Sequence, residues 1–549
     1  MFHKCRSISN GFLKIPMKRL NIFTDLIRCL VVILFLGASL SACQDQGKTG
    51  DQRNGTVTVA PNTNQSPAIT STIIPIESPA VTHAPTATDT QQPASTVVPT
   101  IIPAGSPTPG QTPESAILPF HGVQVTGQKS AKELPLAVAA GASWSRENYF
   151  QWDLIEPART APPTYKWEAV NEDALALAAS EGIQLVATVQ FAPSWAQKYP
   201  GHACGPIAEN ELPRFGQFVA ALVTRYSQPP YKVHYWELGN EPDVDRNLVP
   251  GESVFGCWGE AGEQYYGGEY YATMLKTVYP MIKAADPLAQ VLVGGLLLDC
   301  NPDNPPPLAG NTGQLKDCSP GRFLEGILHA GGGDYFDGVS FHAYDFYPAA
   351  NQVGHYSNGA WLSAWDKDGP VLGAKALFLR GVLAAYSHPE KYLINTEVAL
   401  ICGRSGSEAY CLGDSYATTK AYYLAQASAE ARAEGLQANI WYSLTGWRGS
   451  GLVNASLQPE PAYPAFQFSV AMLREAKFTQ MLDVETGTRG YEFSRGNERL
   501  WIIWSIDGQE HHIKVQAMPS GNWDVFGKAL PIGQELVVGL SPVYVTWKP

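Results

Sequence analysis

The chain reads as an α/β protein: a closed (β/α)8 TIM barrel followed by a small C-terminal antiparallel β-sandwich domain. Three observations predict this. Apolar strand-like runs and helix-length segments alternate eight times between Phe120 and Glu475. No G-x-G-x-x-G or Walker pattern supplies the phosphate turn of a doubly wound sheet. After Phe478 the pattern changes to short alternating runs divided by turn residues such as Asp507-Gly508 and Ser520-Gly521-Asn522.

The elements in chain order support that architecture. Residues 1–43 read as an export signal, in which basic residues precede the short apolar run Leu30–Leu36 and small residues follow. That run is too short to span a bilayer, which needs about 20 residues. The sequence Leu40-Ser41-Ala42-Cys43 resembles the bacterial lipoprotein box, so Cys43 is the expected lipidated mature terminus. Residues 44–119 hold no Phe, Trp or Tyr and are rich in Thr, Pro, Ser and Ala, a composition that cannot build a core and predicts an extended tether. Residues 120–477 form the expected barrel. Its strands are read near 122–125, 142–145, 184–190, 233–238, 291–294, 338–342, 392–396 and 438–444. The intervening helices are read at 131–140, 169–181, 212–226, 264–285, 322–330, 371–386, 418–434 and 463–475. Residues 478–549 form the β-sandwich, which is free to borrow a strand from the stretch before the barrel.

Charge and cysteines narrow the function. The 38 basic and 50 acidic side chains leave a net charge of −12, which repels phosphate backbones and excludes nucleic acid as the expected partner. A neutral polar partner fits better, and membrane contact is expected only through the anchor at Cys43. Beyond Cys43 six cysteines remain, an even number in an exported chain and therefore a disulfide set. None has C-x-x-C spacing and no nearby His completes a zinc pattern, so no metal or other cofactor is expected. Each follows a strand, and proximity suggests the pairs Cys204–Cys257, Cys300–Cys318 and Cys402–Cys411.

Two strand ends carry the chemistry. The run Tyr235-Trp236-Glu237-Leu238-Gly239-Asn240-Glu241-Pro242 ends the fourth strand with a carboxylate, because Pro242 cannot continue the ladder. The run Tyr392-Leu393-Ile394-Asn395-Thr396-Glu397 ends the seventh in the same way. Polar residues at the C-terminal ends of barrel strands point into the mouth. Strands four and seven lie across it from one another, so Glu241 and Glu397 are placed to divide glycosidic bond cleavage between an attacking and a protonating carboxyl.

In these residues the chain resembles the retaining glycoside hydrolases of clan A, whose catalytic glutamates end strands four and seven. Family 39 is the nearest comparison, with families 5, 30 and 51 as neighbours. The resemblance implies a carbohydrate substrate, Glu241 as acid/base, Glu397 as nucleophile, and Asn240 as a contact to the sugar 2-hydroxyl. It implies Arg146, in a segment similar to the strand-two region, as support for the nucleophile. His342 and Tyr344, in Ser340-Phe341-His342-Ala343-Tyr344, are implied to flank it. The strand-eight platform corresponds to Trp441 or Tyr442, with Trp441 taken as the expected contact. Aromatics crowd the presumed mouth loops, among them Trp195, Trp258, Phe346, Trp361, Trp365 and Trp447, and sugar C–H faces stack on such rings; of these, Trp195 is the expected substrate contact. The ionised nucleophile is expected to have a depressed pKa and the acid/base a raised one. The expected activity is cleavage of β-linked saccharides in the manner of a β-xylosidase. An endo-acting β-glucanase or mannanase and a non-catalytic surface glycan-binding protein are the alternatives.

Overall fold

The computed structural model describes residues 119–125, 130–308, 313–361, 363–364 and 369–548. The signal segment, Cys43 and nearly all of the tether lie outside the described residues, as does Trp365.

Eight parallel strands close on themselves. They are β1 (His121–Val123), β2 (Trp144–Gln151), β3 (Gln184–Gln190), β4 (Tyr235–Asn240), β5 (Gln290–Leu296), β6 (Gly338–Tyr347), β7 (Tyr392–Cys402) and β8 (Asn439–Trp441). Consecutive strands pair in order, and β1 with β8 completes the ring. A helix follows each strand: α1 (Ser130–Ala139), α2 (Glu172–Ser180), α3 (Leu212–Tyr226), α4 (Gly268–Ala285), α5 (Phe323–His329), α6 (Val371–Ala385), α7 (Asp414–Ala433) and α8 (Ala462–Leu473). The sequence periodicity in α3 shows why such segments coil and dock. Pro213 starts it where no amide partner is needed, and Leu212, Phe215, Phe218, Val219, Leu222 and Tyr226 form one buried stripe. Among the described residues no helix is long and apolar enough to cross a membrane.

Inside the barrel, Trp144, Val186, Leu292, Ile394 and Ile440 form an apolar layer. Side chains two residues further along each strand face the same way, which stacks Arg146, Thr188, Glu237 and Thr396 above that floor. In β7 the register slips, so that Asn395 pairs with Phe341 but Glu397 pairs with His342. The extra residue is Thr396, and this bulge turns both Thr396 and Glu397 toward the barrel axis.

The β domain has a five-stranded antiparallel sheet in the order β9 (Lys477–Met481), β10 (Thr488–Arg495), β11 (Glu498–Ser505), β15 (Val543–Trp547), β13 (Gly521–Trp523). A separate ribbon pairs β12 (His511–Lys514) with β14 (Glu535–Val538). Strand alternation splits the central sheet between two cores. Leu500, Ile502, Trp504 and Tyr544 belong to the main core, whereas Ile503, Val543, Val545 and Trp547 pack with Ile513, Leu536 and Val538 of the ribbon. Among the described residues no strand is borrowed from before the barrel; the sheet starts at Lys477. It docks on α7, whose Ala421, Ala425, Ala427, Ala429 and Ala431 are buried, as expected of a helix covered on all sides. Buried Glu430 of α7 accepts from Arg489 Nη2 at 2.9 Å and Tyr491 Oη at 3.2 Å across that junction.

Candidate active site

Glu241 and Glu397 converge as the chain order required, although Glu397 does not end its strand: β7 runs on five residues to Cys402. Glu241 follows β4 and has the left-handed φ of +44°, a conformation that costs a non-glycine residue about 1–3 kcal/mol and is held by its surroundings. Its amide donates to Gly295 O at 2.9 Å, which aims the carboxyl inward instead of along the strand. Glycine is required at 295 because a Cβ there would lie 2.3 Å from His342 Nε2. Carboxylate oxygens of Glu241 and Glu397 and a nitrogen of His342 all lie within 4.8 Å of one another.

The two acids have different partners. His342 Nδ1 is 2.7 Å from Glu241 Oε1 and 3.5 Å from Glu397 Oε2, and Glu241 Oε2 is buried with no protein partner. Arg146 Nη1 donates to Glu397 Oε1 at 2.5 Å, and the Tyr344 hydroxyl donates to Glu397 Oε2. Asn240 Oδ1 accepts from Arg146 Nη2 at 2.6 Å, while its amide donates to Val254 O at 3.1 Å.

Electrostatics separate the pair further. Burial, then the Glu397 and Asp243 carboxylates, push the Glu241 carboxyl well above its ordinary range. Burial raises Glu397 as well, which corrects the expectation of a depressed value; the Arg146 guanidinium and the Tyr344 hydroxyl bond oppose that rise. Both carboxyls are thus raised, Glu241 the more strongly, while the guanidinium and phenol beside Glu397 favour its charged form. Burial, with Arg146 and Lys375 nearby, holds the His342 ring well below its usual pKa and hence neutral. Burial keeps Tyr344 protonated and able to donate. Glu241, His342 and Glu397 offer three metal-ligating atoms, but a guanidinium already occupies one oxygen of Glu397 and a phenol the other. A dication there would face Arg146 at close range, so the residues do not fit a metal.

One expectation shifts. Ile440 belongs to the barrel floor, so alternation turns Trp441 outward, where it packs near Tyr423 of α7 at 6.2 Å between ring centroids and donates to Ser450 O. Trp441 is therefore core, and Tyr442 takes the mouth position, its ring 6.0 Å from that of Tyr344. Trp195 lies edge-on to Trp152 at 5.2 Å, in the packing that follows β3. Of the other loop aromatics, Trp258 and Trp361 are buried, whereas Trp447 is 46% and Phe346 43% exposed. The Trp447 ring lies 6.0 Å from Tyr344.

Sequence reasoning missed Glu237, Thr188 and Thr396. Glu237 is fully buried, and its Oε2 accepts from Arg146 Nε at 2.6 Å and Thr188 Oγ1 at 2.7 Å. Its Oε1 accepts from Thr396 Oγ1 at 3.0 Å. An acid inside an otherwise apolar strand, on the inward phase, was the available signal.

The disulfides join Cys204 to Cys257, Cys300 to Cys318 and Cys402 to Cys411, the pairs that loop proximity suggested. The first ties the loops after β3 and β4 beside Glu241, and the third closes the loop beyond β7.

No family model matches the chain, and no curated protein matches it. Solved structures do. A family 39 glycoside hydrolase from Bacteroides cellulosilyticus superposes with a TM-score of 0.56 at 18% identity, over 78% of this chain and 81% of that one. A monomeric β-xylosidase from Caulobacter crescentus gives 0.50 at 14% identity, over 79% and 96%. A family 30 subfamily 8 xylanase from Clostridium acetobutylicum gives 0.50 at 11% identity, over 78% and 96%. At such identities the likeness is one of architecture, and the chain has the fold of the clan A glycoside hydrolases of families 39 and 30.

Proposed function

We propose that this chain is an extracytoplasmic retaining β-glycosidase, with Glu397 as nucleophile and Glu241 as acid/base. The observation that carries the reading is the approach of one oxygen from each carboxylate to within 4.8 Å, with Arg146 and Tyr344 both donating to Glu397. Retaining sites place their carboxyls about 5–5.5 Å apart, whereas inverting sites leave about 6.5–9.5 Å for a water. In the first step Glu397 attacks the anomeric carbon and the glycosidic C–O bond breaks as Glu241 gives its proton to the departing oxygen. A glycosyl ester on Glu397 results. In the second step Glu241, now a carboxylate, takes a proton from water, whose oxygen displaces Glu397 from the anomeric carbon. Neutral His342 beside both acids and the Tyr344 hydroxyl on Glu397 support these roles.

The proposed substrates are β-linked xylosides or related saccharides, a choice supported by the structural matches described as a β-xylosidase and a xylanase. Three disulfides support folding in an oxidising, extracytoplasmic compartment. The proposed anchor is a lipid on Cys43, and release of a Cys43→Ser variant from the membrane fraction is its test. The activity is tested with a panel of aryl β-glycosides and a 2-deoxy-2-fluoro-xyloside. The expected results are a fluoro-sugar adduct on Glu397 and a first product of retained anomeric configuration. An inverted product overturns the mechanism, and an adduct on another residue overturns the assignment of the nucleophile.

A further inference from the structure

Arg146 is 1% exposed and its guanidinium meets three side chains: Glu397, Asn240 and Glu237. Glu397 is expected to be an anion only part of the time, because the ester that forms on it carries no charge. A guanidinium that depended on Glu397 alone would then become a buried, unpaired cation, which costs several kcal/mol. Glu237 is built to prevent that. It takes no part in bond making, sits one layer below the acids with no exposed surface, and accepts from Arg146 on β2, Thr188 on β3 and Thr396 on β7.

We propose that Glu237 is the permanent counter-ion of Arg146, a positioning residue that lets Glu397 pass its charge to the sugar without leaving a buried cation unpaired. This rests on the glycosidase reading above. In the resting state the cluster holds Arg146 positive, Glu237 and Glu397 negative and Glu241 neutral. In the ester state Glu397 is neutral and Glu241 negative. The summed charge is the same in both, and Arg146 keeps a carboxylate at 2.6 Å throughout. The groups facing this cluster are His342 and Tyr344 from β6, Tyr442 after β8, Tyr271 from α4, and, on the Glu241 side, Asp243 after β4 and Lys375 from α6.

The charge of Glu237 also repels that of Glu397 and raises its pKa. This gives the test a sign. In Glu237→Gln with Arg146 in place, the acid limb of kcat/KM, set by Glu397, is expected to move to lower pH by roughly 1 unit. If Glu237 served only to wedge Arg146, the guanidinium would leave Glu397 and the limb would move to higher pH. The assay is hydrolysis of 2,4-dinitrophenyl β-D-xylopyranoside by the full chain across pH. Loss of about 100-fold in kcat with little change in KM is expected, and Glu237→Asp, which keeps the charge, is expected to recover most of it. A wild-type rate in Glu237→Gln, an upward limb, or an Asp variant no better than Gln overturns the proposal. Wild-type protein inactive on every glycoside of the panel overturns the glycosidase reading instead. A stability cycle tests the pairing without turnover. Arg146→Met strands a buried Glu237, so adding Glu237→Leu is expected to raise the Tm, and a further fall overturns the pairing.

Discussion

Replacing Tyr344 by Phe isolates one hydrogen bond at the site. The hydroxyl donates to Glu397 Oε2, whereas the ring packs near Tyr442 and Trp447 with centroid distances of 6.0 Å to each. Phe keeps the ring and deletes only the donor. A hydrogen bond to a charged group contributes about 1.5–3 kcal/mol, and one pKa unit corresponds to about 1.36 kcal/mol. Because this bond favours the ionised form of Glu397, its loss raises that pKa by roughly 1–2 units. The nucleophile works only when ionised, so activity disappears as pH falls through its pKa. The acid limb of the kcat/KM profile should therefore move up by the same interval, while the basic limb, set by the proton on Glu241, stays. The assay is initial-rate hydrolysis of an aryl β-xyloside from acid to neutral pH, with Tm measured in parallel. An unmoved limb, or one that moves down, refutes the assignment of Tyr344 as a donor to an ionised Glu397. The direction is opposite to that expected for Glu237→Gln, so the two variants together separate loss of a donor from loss of a like charge.

Other perturbations test the remaining parts. Glu397→Ala should abolish turnover, and azide should restore it with a glycosyl azide of inverted configuration, detectable by NMR. Glu241→Ala should retain the first step on substrates with good leaving groups and slow ester hydrolysis, seen as a burst of phenol; wild-type rates on unactivated saccharides would refute its role. Trp447 is 46% exposed beside Tyr344 on the nucleophile side, so Trp447→Ala should leave Tm nearly unchanged. A lost stacking contact of about 0.5–1.5 kcal/mol raises KM roughly 2- to 12-fold, and steady-state kinetics on xylo-oligosaccharides measure it. The Cys402–Cys411 bridge spans 9 residues, and the chain-entropy relation assigns it about 2.6 kcal/mol. Cys402→Ser/Cys411→Ser should lower the Tm accordingly, whereas an unchanged melt would mean that the loop is held by other contacts.

The sequence by itself determined the barrel and the identity of its two mouth carboxylates. The reason is that strand–helix alternation counts the strands, and a strand stopped by Pro242 puts its last residue at the rim wherever the barrel closes, whereas β7 runs on past Glu397 to Cys402. Cysteine pairing was legible for the same reason: each pair joins loops adjacent in the barrel or closes one loop. Strand borders were less legible, and β2 runs on to Gln151, well beyond Ser145, which brings Arg146 inside the barrel wall. Only the tertiary structure decided which way particular side chains point. The single-residue bulge at Thr396 turns Glu397 inward, and alternation from Ile440 sends Trp441 into the core and leaves Tyr442 at the mouth. One residue of register reverses a face, and local sequence does not mark where register slips. The same holds for electrostatics. Glu237 looked like one more residue of an apolar strand, and it becomes the partner of Arg146 only when β2, β3, β4 and β7 converge. Glu397 looked free to have a low pKa, yet closure of the barrel buries it, and the desolvation that follows exceeds what Arg146 and Tyr344 return.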